Sequence, residues 1–125
     1  MIAEATLLEK IEQSLDDIVE LAEKCITETR AAASDLEESQ LRNLQNLAAA
    51  TDSVPVLENF VGYQMGRGKI PAEVGRRILA DIQELSRRAE ELTQQHSELL
   101  RQTRMELIRL YLGFLVRKFV AERKG

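Results

Sequence analysis

The sequence predicts an all-α protein, a compact helical bundle of about five helices forming a single domain over residues 1–125, with a protruding long-helix hairpin as the alternative shape. Three observations carry this. Apolar residues recur at spacings of three and four along almost the whole chain. Aromatic residues amount to only 4% and there are two prolines, which points away from an all-β architecture. At 125 residues the chain can build one core and is too short for two. A hydrophobic content of 44% beside 30% charged residues excludes a disordered composition.

The first helix is expected from about Ala3 to Ala33, on the seam Leu8, Ile11, Leu15, Ile18, Ala22, Cys25 and Ile26. Ser34-Asp35 supplies oxygens suited to an N-cap, with Glu37 and Glu38 in the first turn of a second helix carrying Leu41, Leu44, Leu47 and Ala48. Thr51-Asp52-Ser53 interrupts the pattern. Val54-Pro55 restarts it, proline being tolerated in a first helical turn. This third helix would bury Val56 or Leu57, together with Phe60 and Val61, and stop at Gly66 or Gly68, where glycine permits a left-handed cap.

Pro71 opens the next helix. Uninterrupted to Glu122, it would run about 78 Å at ~1.5 Å per residue, against a radius of gyration of roughly 14 Å for a compact domain of this size. The seam Ile78, Ile82, Leu85, Ala89, Leu92 continues through His96, Leu99 and Thr103, then shifts to Leu107, Leu110, Tyr111 and Phe114. That shift predicts a turn or kink between Gln94 and Thr103. The most apolar segment, Ile108 to Val120, contains Arg109, Arg117 and Lys118 and is too short to span a bilayer, so no membrane association is expected. Glu4, Glu9 and Glu12 stand where a secretory signal would need an apolar stretch, and Cys25, the lone cysteine, falls at an apolar helical position. A buried thiol in a reducing cytoplasm is the expectation.

Charge is unevenly placed. Residues 1–40 hold three basic against eleven acidic side chains, a net of -8, and residues 41–125 hold fourteen against ten, a net of +4. One face could therefore meet a polyanion while another is repelled by it, although a solvated helix surface produces the same pattern.

Enzymatic constellations are missing. A P-loop needs glycine five residues before its Gly-Lys pair and Ser or Thr after it, whereas Gly68-Lys69 has Tyr63 and Ile70 at those places. One His and one Cys in separate helices cannot assemble a nucleophilic triad, and His96 near Glu98 lacks a second His for a metal. Adjacent acids such as Asp16-Asp17, Glu37-Glu38 and Glu90-Glu91 point to different helix faces. No catalytic residue, metal or cofactor is expected.

Binding is better supported. In GYQMGRGKIP (residues 62–71), Arg67 and Lys69 lie between glycines just before a helix that Pro71 opens, and Arg76 and Arg77 follow one to two turns in. A helix N-terminus offers unpaired N–H groups and partial positive charge, and glycines let backbone approach a ligand, so this stretch could cradle a nucleic-acid backbone. On these residues alone, a glycine C-cap with basic residues facing water is the slightly favoured reading.

Three stretches carry a resemblance. SQLRNLQNLAAAT (residues 39–51), LENFVGYQMGR (residues 57–67) and MELIRLYLGFLVRKFVAER (residues 105–123) resemble, in order and spacing over about half of the chain, helices of the small helical subunit of type III CRISPR effector complexes of the Csm type. The charged segment from Glu84 to Arg104 and the acidic first helix are longer than that family's pattern, which suggests a divergent subtype or a related type III branch. The resemblance implies a non-catalytic antiviral subunit. Its copies would stack along a ribonucleoprotein filament, contacting guide RNA, target RNA and the backbone subunits of the complex. Arg42 and Arg67 are the matched positions it points to for RNA, with Arg117 and Lys118 in the basic third stretch. A helical scaffold or adaptor that forms homo- or hetero-oligomeric bundles, with no nucleic-acid role, uses the same apolar seams.

The missing constellations predict that the isolated protein hydrolyses neither RNA nor DNA, with or without divalent cations. Cleavage abolished by His96→Ala, or by changing one of the acidic pairs, would overturn this.

Overall fold

The computed structural model describes residues 2–125, with side chains described from residue 5 onward. Five α-helices, α1 (Ile2–Glu28), α2 (Glu38–Ala50), α3 (Val54–Gly66), α4 (Ala72–Leu92) and α5 (Leu100–Lys124), form one bundle, with no strand among the described residues. No described helix is long and apolar enough to cross a membrane.

α1 buries Ile11, Ile18, Ala22, Cys25 and Ile26, while Leu8 of the expected seam is 66% exposed. The helix stops at Glu28, five residues before the predicted end. Arg30 turns left-handed (φ 56°), and a 3₁₀ turn over Ala31–Ala33 carries the chain inward, where Ala31 and Leu36 are fully buried. Ser34 does not cap α2. Its hydroxyl donates to the Ala31 carbonyl (2.6 Å) and accepts from the Leu36 N–H (3.1 Å), shaping the connection, and α2 begins after Glu37 without a side-chain cap.

Ser53 caps α3 by accepting the Val56 N–H at 3.3 Å, with Pro55 in the first turn. Leu57 and Val61 are buried, Phe60 is half-buried, and Val56 faces solvent. α4 then buries Val74, Ile78, Ile82, Leu85 and Ala89. Its first turns lie close against the end of α3: Gly75 sits under Met65, and a Cβ at that position would overlap the Met65 sulfur.

The long seam reverses at Thr93–Leu99, so the turn expected between Gln94 and Thr103 is present and no hairpin protrudes. His96, expected in the seam, lies exposed in this reversal. The reversal returns α5 into the bundle, where it packs against α1, α2 and α4. α5 buries nine residues, including Leu107, Ile108, Tyr111, Leu115 and Phe119.

Phe114, a core expectation, is only half-buried, with Arg117 over its ring at 5.8 Å. Phe119 is the fully buried phenylalanine. Phe119→Ala should therefore cost about 3–5 kcal/mol and Phe114→Ala about half as much. Urea melts of the two variants check this, and equal losses would contradict the packing.

Candidate nucleic-acid interface

The expected cradle sits at the corner between α3 and α4. Gly68 is left-handed (φ 73°), its N–H donates to the Met65 carbonyl (3.0 Å) and the Lys69 N–H donates to the Gln64 carbonyl (2.9 Å). This pair of bonds is a Schellman cap. The Ile70 N–H also donates to Gln64 O, and Ile70 is fully buried. The N–H groups of Gly68, Lys69 and Ile70 are thus consumed by the cap, so the expected left-handed glycine stop is present at Gly68 and these N–H groups are not open to a ligand.

The side chains remain available. Arg67, Lys69 and Arg76 are all exposed, and among the described residues none of them pairs with a carboxylate. Arg67 donates to the Gln64 side-chain oxygen at 3.2 Å and lies over the Tyr63 ring at 5.4 Å. Beyond Pro71, the first bond inside α4 runs from the Gly75 N–H to the Pro71 carbonyl, leaving the N–H groups before it without a helical acceptor. Glu73 stands in this first turn as the one carboxylate against three cations.

The other predicted residues divide. Arg42 and Arg117, from α2 and α5, flank one groove of about 440 Å³ floored by Gly113 and Val116. Arg42 is already paired with Glu38, one turn earlier on its own helix. Lys118 borders a different groove, among Asp16, Glu20, Glu23 and Glu28 of the acidic first helix, where a polyanion would be repelled. Arg77 is committed inside the fold, donating to Glu28 (2.7 Å) and Asp81 (3.2 Å).

Sequence reading missed that last cluster. Asp81, 4% exposed, accepts a 2.6 Å hydrogen bond from Tyr111 and the one from Arg77, which also reaches Glu28, so α5, α4 and α1 meet through the chain Tyr111–Asp81–Arg77–Glu28. Its signal was legible, an acid three residues after Ile78 and four before Leu85 in an apolar seam. Burial pushes the Cys25 thiol up to about 12, which leaves it protonated and unreactive, and drives the Tyr111 hydroxyl well above its ordinary value.

Other basic residues were missed as fasteners. Arg109 donates to the carbonyls of Ala48 (2.8 Å) and Thr51 (3.0 Å) and to Asp52 (3.0 Å), closing the end of α2. Arg123 donates to the carbonyls of Ala32 (3.2 Å) and Ser34 (2.9 Å) and lies over Phe119 at 4.4 Å. Among the described residues no group of three or more His, Cys, Asp or Glu is placed to hold a metal. Compared with protein-family models, curated proteins and solved structures, the chain matches none.

The Asp81 carboxyl is pushed above its ordinary value of 3.8 chiefly by burial, against the pull of Tyr111 and Arg77. A raised value in the folded state means the fold favours the protonated acid. The stability tied to this group is then greatest below its unfolded value and falls as pH rises through the folded one. Measured as urea midpoints, the stability of wild type relative to Asp81→Asn should decline as pH rises from about 4 to about 7. Parallel profiles would overturn this.

Proposed function

We propose that this chain is a non-catalytic RNA-binding subunit of a type III CRISPR effector, a small helical subunit of the Csm type or a related branch, and that it works in the cytoplasm in antiviral defence. Copies would lie side by side along the ribonucleoprotein, contacting guide and target RNA and the backbone subunits. The observation that carries the reading is the α3–α4 corner, where Arg67, Lys69 and Arg76 stand exposed and unpaired with any described carboxylate. Arg42 and Arg117 would supply a second, weaker contact. The acidic first helix would turn RNA away from the opposite charge field and leave that surface to protein neighbours.

Such cations bind phosphate oxygens with little sequence readout. That suits a subunit which must accept any guide and leave recognition to base pairing. Modest affinity per copy is multiplied when copies are linked along one strand. The motif resemblance supports the assignment to this class of complex, and the corner chemistry supports RNA as the ligand.

Titration against single-stranded RNAs of unrelated sequence at several ionic strengths tests the proposal. Log affinity should fall against log salt with a slope of roughly -0.7 per phosphate contacted, so about -2 for three contacts, and similarly for every sequence. Arg67→Ala, Lys69→Ala and Arg76→Ala should each reduce the slope, with Lys69→Ala and Arg76→Ala shifting stability by no more than about 0.5 kcal/mol and Arg67→Ala by about 1 kcal/mol, since it strips a hydrogen bond from the buried Gln64. Arg77→Ala should instead destabilise by about 1–3 kcal/mol, since it strips one hydrogen bond from the buried Asp81 and one from Glu28. A flat salt response, with self-association as the only interaction found, would replace this reading with a helical scaffold.

A further inference from the structure

The outward face of α3 has a composition that the bundle does not require. Its exposed residues are Pro55, Val56, Asn59, Gly62, Tyr63, Gly66 and Arg67, and none is acidic, in a chain carrying 21 Asp and Glu. Glu58, the one acid of α3, is hydrogen-bonded to Gln83 on α4. Tyr63 is 60% exposed, the more exposed of the two large apolar side chains on this face. Arg67 lies over its ring at 5.4 Å.

Gly62 adds a second observation. Glycine inside a helix is less favourable than alanine, yet a Cβ at Gly62 or Gly66 would meet nothing within 4 Å. Packing inside this chain therefore gives no reason for glycine on either side of Tyr63. An approach from outside does, because bare backbone beside the ring admits a flat ligand edge-on.

We propose that Tyr63 is a stacking platform for an unpaired nucleobase, with Arg67, Lys69 and Arg76 holding the flanking phosphates. This rests on the RNA-binding reading above and deepens it: the corner would engage single-stranded polynucleotide by base and backbone together, not by charge alone. Every base has a π-face, so stacking is tolerant of sequence, and an arginine over the aromatic ring adds a second flat surface for the base. Charge complementarity selects this occupant over a protein helix. A face without exposed carboxylates that carries an exposed tyrosine and ends in Arg67 and Lys69, with Arg76 on the next helix, matches a strand whose bases are flat and whose backbone is anionic.

The chain itself supplies the reporter. It has no tryptophan and two tyrosines, of which Tyr111 is fully buried, so quenching of tyrosine emission by a ligand reads Tyr63. The probes are a 12-residue oligouridylate and inorganic polyphosphate of similar length, titrated against the full chain at low salt. Oligouridylate should quench wild type, and polyphosphate should bind without quenching. Tyr63→Ala should weaken oligouridylate binding roughly 5- to 100-fold with the salt slope and the polyphosphate affinity unchanged, and Tyr63→Phe should bind as wild type does.

Salt-dependent oligouridylate binding without quenching, or binding that Tyr63→Ala leaves intact, overturns stacking and leaves the RNA reading standing. If neither probe binds, both readings fall. If Tyr63→Ala or Val56→Ser changes sedimentation but not oligouridylate affinity, the face is a contact between copies and the proposal is wrong. The wild-type quenching measurement decides the matter even if a variant folds poorly.

Discussion

The bundle depends on burying α5. Its buried positions, among them Met105, Leu107, Tyr111 and Val116, are too many and too widely spread for one stripe, so a single neighbouring helix cannot cover them. α1, α2 and α4 together do so, which is possible only because the chain reverses between Thr93 and Leu99. The same helix fastens two connections. Arg109 and Arg123 reach the carbonyls that close α2 and turn the chain after α1, satisfying groups that would otherwise face partly dry surroundings. Packing and loop geometry are therefore set by one element.

Within that core the Asp81 site imposes register. A carboxylate placed among apolar side chains is costly unless its oxygens are satisfied, and here one oxygen takes the Tyr111 hydroxyl and the other the Arg77 guanidinium. Sliding α4 against α5 by one turn would separate Asp81 from Tyr111 and leave one buried carboxylate oxygen without its partner, while Arg77 travels with Asp81 on the same helix. Nonspecific apolar contact would tolerate such a slide, and the network does not. Arg77 also reaches Glu28, so α1 is held to the same registration.

Helix number, the break at Thr51–Ser53, the Val54-Pro55 start and the reversal after α4 were all legible, because proline placement and apolar periodicity are local signals, whereas the Ser34-Asp35 cap expected for α2 is not formed. The end of α1 was not. Nothing between Thr29 and Ser34 announces a left-handed Arg30, and the turn there depends on Leu36 entering the core and on Arg123 arriving from 91 residues away along the chain. The candidate site was legible in composition and not in allegiance. Seven basic residues could be named from the sequence, yet whether a cation faces water, as Lys69 does, or a carboxylate, as Arg77 does, is settled by which helices pack side by side.

That sorting of cations explains how an acidic chain can present a basic corner. Among the basic residues, Arg77, Arg87 and Arg88 are drawn into pairs with carboxylates, and Arg109 and Arg123 into carbonyl clamps. The Schellman cap works in the opposite direction. Because backbone groups close the end of α3 through Gly68, no side chain is needed for capping, and Lys69 and Arg67 are left to project from a rigid turn. A flexible loop would have to lose entropy to present two charges to a ligand, whereas this one is already fixed by its own hydrogen bonds. The glycine that appeared to offer backbone to a ligand instead stabilises the platform from which the side chains reach out.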